Sequence, residues 1–110
     1  AQLNSAVIAL DLGGLEEADH NLCNIIQVSR RLSASYVELF AMMNLVCVRV
    51  EQSRIDEVRA LVARAVPMAR EQNDQVVEGM IMASLARALV ENGELLEAEE
   101  VSIRALGLLE

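Results

Sequence analysis

Asn4 and Asn44 lie 40 residues apart on otherwise apolar stretches, and Ser84 takes the same place one interval later. An amide side chain both donates and accepts, so it can pair with the backbone of a bound segment, with a neighbouring helix or with water. The other reactive side chains are less suggestive. Cys23 and Cys47 are 24 positions apart, without a CxxC and with one His in the chain, which is neither a zinc pattern nor a disulfide framework. Buried free thiols in a reducing compartment, hence a cytoplasmic location, are the expectation. His20, beside Glu16, reads as a surface residue. There is no phosphate-cradling Gly-rich loop, no His-bearing metal motif and no nucleophile with a local base. The carboxylates recur at helical spacing, none paired in an apolar setting. The sequence therefore predicts no catalysis, no metal and no cofactor.

Charge narrows the partners. The formal net charge is −8, and all nine basic residues are Arg. Only Arg30 and Arg31 adjoin, so no basic cluster offers itself to a phosphate backbone or an anionic membrane. Direct nucleic-acid and membrane binding are not expected. The longest uncharged runs, such as 39–48, fall well short of the ~20 residues a membrane-spanning helix needs. The chain opens without Met inside a helical pattern and is expected to be a piece of something longer.

The elements that carry these residues are helices. With 54% apolar residues, one Pro and two aromatic residues (Tyr36 and Phe40), the core must be aliphatic and the helices long. Apolar residues at Leu3, Ala6, Val7 and Leu10 predict a helix over 2–12, stopped by Gly13–Gly14. A second, over 15–32, turns Leu15, Ala18, Leu22, Ile25, Ile26 and Ser29 inward. Glu16 and Glu17 in its first turn and Arg30–Arg31 in its last complement the helix dipole. Ser33-Ala34-Ser35 offers Ser N-caps to the next helix.

The stretch 36–51 is apolar on nearly every face, as a helix packed on several sides must be. An amphipathic helix follows over 54–71, with a kink or 3₁₀ turn expected at Pro67. Gln72-Asn73-Asp74 separates it from a second all-round apolar helix over 75–91. Asn92–Gly93 turns the chain into an amphipathic helix over 94–109, where Glu100 and Arg104 are spaced to pair.

Sliding the chain by 40 residues matches Val37 with Val77, Glu38 with Glu78, Met42 with Met82 and Leu45 with Leu85. It also aligns Gly13, Ser53 and Gly93, then Leu15, Ile55 and Leu95, then Glu17, Glu57 and Glu97. A helix pair recurring at such an interval predicts an all-α solenoid of antiparallel pairs. The units are about 1–33, 34–73 and 74–110, forming one repeat domain.

The third unit, Met82-x2-Leu85-Ala86-x2-Leu89-x3-Gly93-x4-Ala98-x6-Ala105, resembles the tetratricopeptide repeat. Unit one keeps Ala6, Gly13, Ala18 and Leu22. Unit two departs most, with Val46 at the small position, Arg49 at the aromatic one and Val58 for Ala. The ordinary repeat has about 34 residues, and the longer one here is similar to those of large LuxR-family regulators of the maltose-activator type and related bacterial signalling ATPases and kinases. The resemblance implies a protein-interaction module in a bacterial regulatory protein, whose inner helices line a concave groove for a peptide or a partner's helix. Carried onto this chain, that face holds Leu3, Asn4, Val7 and Asp11 in unit one. It holds Phe40, Met43, Asn44, Cys47 and Glu51 in unit two, and Met80, Ala83, Ser84, Arg87 and Glu91 in unit three.

The Lys pair of the carboxylate-clamp subtype is absent, so capture of a C-terminal carboxylate is not implied. An alternative reading has the inner faces pack on further repeats or on a second copy, as a homodimer. Met42 and Met82 fall at core positions of the repeat, while Met43 and Met80 fall on the groove face. The acidic run 91–100 is either a solvated convex face or a docking patch for a basic partner, and Glu94, Glu99 and Glu100 are the acids that unit two lacks.

Overall fold

The structure, a computed structural model, describes residues 14–110. The expected first helix, the Gly13 end of its stop, and the groove candidates Leu3, Asn4, Val7 and Asp11 lie outside the described residues. Five α-helices follow: α1 (Leu15–Arg31), α2 (Ser35–Glu51), α3 (Ile55–Glu71), α4 (Gln75–Glu91) and α5 (Leu95–Leu109). Each packs on its neighbour in sequence, and the inner helices α2 and α4 also pack on each other. This is an all-α solenoid of antiparallel helix pairs. The 40-residue interval is kept to the residue, since α2 and α4 begin and end at matching positions.

The helices end where they do because of one backbone device used at every turn. Ser33, Ser53, Asn73 and Gly93 all have positive φ, at 55°, 58°, 56° and 81°. Each is the left-handed residue of a Schellman ending. In the first, Ser33 N–H bonds Arg30 O at 3.2 Å and Ala34 N–H bonds Ser29 O at 2.8 Å, satisfying carbonyls the helix leaves unpaired. The residue after the left-handed one already caps the next helix, so each connection is only three residues long. Ala34 occupies the N-cap of α2, with no side-chain cap. The expected Ser caps do not form, because Ser33 is spent on the left-handed position and Ser35 is the first helical residue. Among the described residues only Asp74 caps by side chain, accepting from Val77 N–H at 3.0 Å.

The expected break at Pro67 is also absent: α3 runs as α-helix through it to Glu71. Pro67 and Ala63 are both exposed, so the carbonyl that loses its donor faces water, while Ala65 and Ala69 on the other side are fully buried and hold the backbone in place. Elsewhere burial follows the periodicity. Ala18, Leu22, Ile26 and Ser29 of α1, and Val58, Leu61, Val62 and Ala65 of α3, face inward. The inner helix α2 buries residues on most of its circumference, with Leu39, Met42, Val46 and Val48 among the largest fully enclosed side chains.

Successive units are tied by a repeated ion pair. Arg30 in the last turn of α1 donates to Glu38 in the first turn of α2 at 2.7 Å. One interval later, Arg70 in the last turn of α3 donates to Glu78 of α4 at 2.9 Å. Glu78 is only 5% exposed. A carboxylate removed from water this far needs its partner, and here it also gains from the helix N-terminus it sits on.

Two outcomes follow for stability. Ser53→Gly should stabilise the chain by about 0.5 kcal/mol and Gly93→Ala should destabilise it by about 1 kcal/mol, because a side chain is strained at positive φ; urea unfolding measures both. Arg70→Ala should cost about 1–2 kcal/mol by leaving Glu78 buried without its cation. In a double-mutant cycle with Glu78→Gln, the two changes should be less than additive.

Candidate protein-binding surface

The two inner helices run side by side, displaced by about one turn, so that Cys47 lies against Ser84 and Glu51 against Arg87. Tyr36 and Val76 are each 57% exposed, Met80 is 45% exposed and Phe40 is half-buried. Tyr36 and Phe40 stand one helical turn apart with ring centroids 4.9 Å from each other, edge to face. These four side chains make an apolar strip on the N-terminal halves of α2 and α4. Glu51 and Arg87 pair at 2.5 Å between the C-terminal halves, and Arg87 also donates to Glu91 at 3.3 Å. Glu51 is the main reason the Arg87 guanidinium holds its proton more firmly than usual. The strip thus grades from apolar to charged along its length.

Between those ends lie Asn44 and Ser84. Both turn back on their own helices: Asn44 Nδ2 donates to Phe40 O at 3.0 Å and Ser84 Oγ to Met80 O at 3.1 Å. Asn44 makes no hydrogen bond to the next helix, and its second amide hydrogen and its carbonyl oxygen have no partner among the described residues. Cys47 Sγ lies 3.6 Å from Ser84 Oγ, at the seam of the two helices. Met43 is 9% exposed and belongs to the core, closed over by neighbouring side chains. Its period partner Ala83 is exposed. The candidates therefore divide. Phe40, Asn44, Met80, Ser84 and Arg87 share the inner-helix surface, Met43 and Cys47 fill the junction, and Ala83 faces the open side of unit three. Met42 and Met82 are buried, as core residues of the repeat should be.

Tyr36 and Val76 were missed by reasoning on the face that starts at Phe40 and Met80. The signal was present, because each precedes those residues by four positions and extends the same stripe one turn.

Further charge pairs join each outer helix to the unit that follows it. Asp19 on α1 accepts from Arg49 and from Arg54, each at 3.3 Å. One interval on, the signs are exchanged. Arg59 on α3 reaches Glu94 at 2.9 Å and Glu97 at 2.8 Å. Hydrogen bonds from Asn92 and Arg59 push the Glu94 carboxyl below its usual range, and the bond from Arg59 does the same for Glu97. Much of the acidic run is thus architectural. Glu99 and Glu100 have no ion-pair partner among the described residues, and the expected Glu100–Arg104 pair does not form. Burial and the neighbouring Asp19 carboxylate push the Cys23 thiol up, so it stays protonated at neutral pH. His20 is exposed and sits 3.3 Å from the Asn24 amide.

No family model, curated protein or solved structure matches the chain. Among the described residues no helix is long and apolar enough to cross a membrane, and no three His, Cys, Asp or Glu side chains converge as metal ligands would.

The division between core and surface is measurable. Met43→Ala should cost about 2–3 kcal/mol, as for other buried Met truncations, whereas Met80→Ala should stay within about 0.5 kcal/mol of the parent; chemical denaturation distinguishes them. Acid should loosen the junction between the second and third units. Glu94 and Glu97 have folded-state pKa values below their unfolded ones, so their contribution is present above about pH 4.5 and is lost as pH falls through the lowered values. Arg59→Gln should flatten that part of the stability-against-pH curve.

Proposed function

We propose that this chain is a non-catalytic protein-interaction module of the tetratricopeptide type that holds a peptide or a partner's helix on the surface of its inner helices. The observation that carries the reading is the exposed side chains of Tyr36, Val76 and Met80, with the half-buried Phe40 against Tyr36, on the two inner helices of the fold. Large apolar side chains left facing solvent on a rigid base are what a binding surface requires, and Tyr and Met are suited to it: one brings wide contact area with few rotors, the other adapts to uneven partners. The Asn44 carbonyl oxygen and the Arg87–Glu51 pair supply polar contacts that orient a bound chain. The longer repeat and its resemblance to bacterial LuxR-family regulators favour a place in a signalling or transcriptional regulatory protein, in the cytoplasm, with no direct contact to nucleic acid or membrane.

A photo-crosslinking amino acid placed at position 80, compared with one at the exposed outer-helix position 64, tests this. Position 80 should yield a discrete adduct that Tyr36→Ser removes, while position 64 yields none. Equal adducts from both positions, or an adduct from position 80 that is indifferent to Tyr36→Ser, would overturn the reading.

A further inference from the structure

The outward face of α5 is apolar where those of the other outer helices are not. Leu96, Glu100, Ile103 and Gly107 recur at i, i+4, i+7 and i+11 and so share one side of the helix. Leu96 is 84% and Ile103 63% exposed. Their counterparts are Asp56, Ala60, Ala63 and Pro67 on α3, and Glu16, His20, Cys23 and Gln27 on α1. All four on α3 are exposed although α4 and α5 follow, and so are Glu16, His20 and Gln27 on α1. A following unit therefore leaves this face uncovered, and the exposure of Leu96 and Ile103 belongs to their position in the repeat. Neither earlier unit puts a large aliphatic side chain there.

The face is complementary to itself. Leu96 projects at one end, and at the other Gly107 leaves a notch, with no atom within 4 Å of where a Cβ would stand. Between them Glu100 and Arg104 are exposed and have no ion-pair partner among the described residues. Two α5 helices laid antiparallel, across a two-fold axis midway between Glu100 and Arg104, bring these features together. Leu96 of each copy meets Gly107 of the other, each Glu100 meets an Arg104, and the two Ile103 side chains lie close to the axis. A parallel pairing would instead set Glu100 on Glu100 and Arg104 on Arg104. The ion pairs lie at the rim, so they fix the direction more than they add affinity.

We infer that the outward face of α5 pairs with the same face of a second copy, giving an antiparallel two-fold dimer. One helix on each side buries less than the ~800 Å² per partner of a standard interface. The net charge of −8 on each chain also opposes association. The dimer is accordingly weak and forms at high micromolar concentration. The inner helices take no part in it. Both copies keep their inner surfaces open, and failure of the dimer leaves the proposed function standing.

Sedimentation velocity of the chain from about 10 µM to about 1 mM at physiological salt should show a rising dimer fraction. Leu96→Glu should weaken self-association at least about tenfold. Gly107→Leu fills the notch without changing charge, and should weaken the dimer as much while the fold becomes no less stable, since Leu favours a helix over Gly. Glu100→Arg and Arg104→Glu should each weaken the dimer alone. An equimolar mixture of those two variants should associate again, because every facing pair is then Arg with Glu. A chain that stays monomeric throughout the range, a dimer indifferent to Leu96→Glu, a dimer dissolved by Tyr36→Ser but not by Gly107→Leu, or a mixture no more associated than its parts would each overturn the inference.

Discussion

A helix pair of this chain cannot close a core by itself, and that constraint governs everything else in the molecule. The inner helices are apolar nearly all round, so they need cover from the pair before and the pair after. What keeps the cover in place is the buried carboxylate at the start of each inner helix, Glu38 or Glu78, held by the Arg that ends the outer helix before it. The pairing joins a helix C-terminus to the next N-terminus, where the dipoles already favour those signs. It also selects one sliding position, since apolar surfaces alone would tolerate several. The three-residue Schellman turns leave no slack to absorb an error.

Seen this way, two kinds of exposed apolar side chain stand apart. Tyr36, Val76 and Met80 are exposed although their helices are covered on the other sides, which singles out the inner surface as a place for recognition. Val90 and Leu106 are exposed along the trough between α4 and α5, the counterpart of the face of unit two that α4 covers. The first kind is a surface the fold keeps open by its geometry. The second repeats a face that the fold covers within unit two, and Arg87 lines it beside Glu91.

Much of the architecture was legible in the residues. The 40-residue interval, the alternation of all-round apolar with amphipathic stretches, and the breaks near residues 33, 53, 73 and 93 placed the five described helices to within one residue at either end. Matching Glu38 with Glu78 marked the position of the tie between units, yet its partner Arg30 or Arg70 was not evident, because the pairing runs across a turn and reads locally as a dipole effect. The inner surface was harder to read. Helical spacing identifies a stripe but does not say which edge of the stripe the adjacent helix covers. That is why Met43 proved to be core, Cys47 a seam residue, and Tyr36 a surface residue. Pro67 and the serines around Ala34 were misjudged for a related reason: local rules were applied where packing on both sides of the residue decides the backbone.

Native-state hydrogen exchange, resolved by helix, tests most directly whether stability is passed between units. The helix covered on both sides, α2, should exchange only through opening of the whole array, while α5, open along one face, should exchange at lower free energy. Arg70→Ala should lower the protection of α4 and α5 more than that of α1 and α2. Protection that is uniform along the chain, or greatest in α5, would contradict the account.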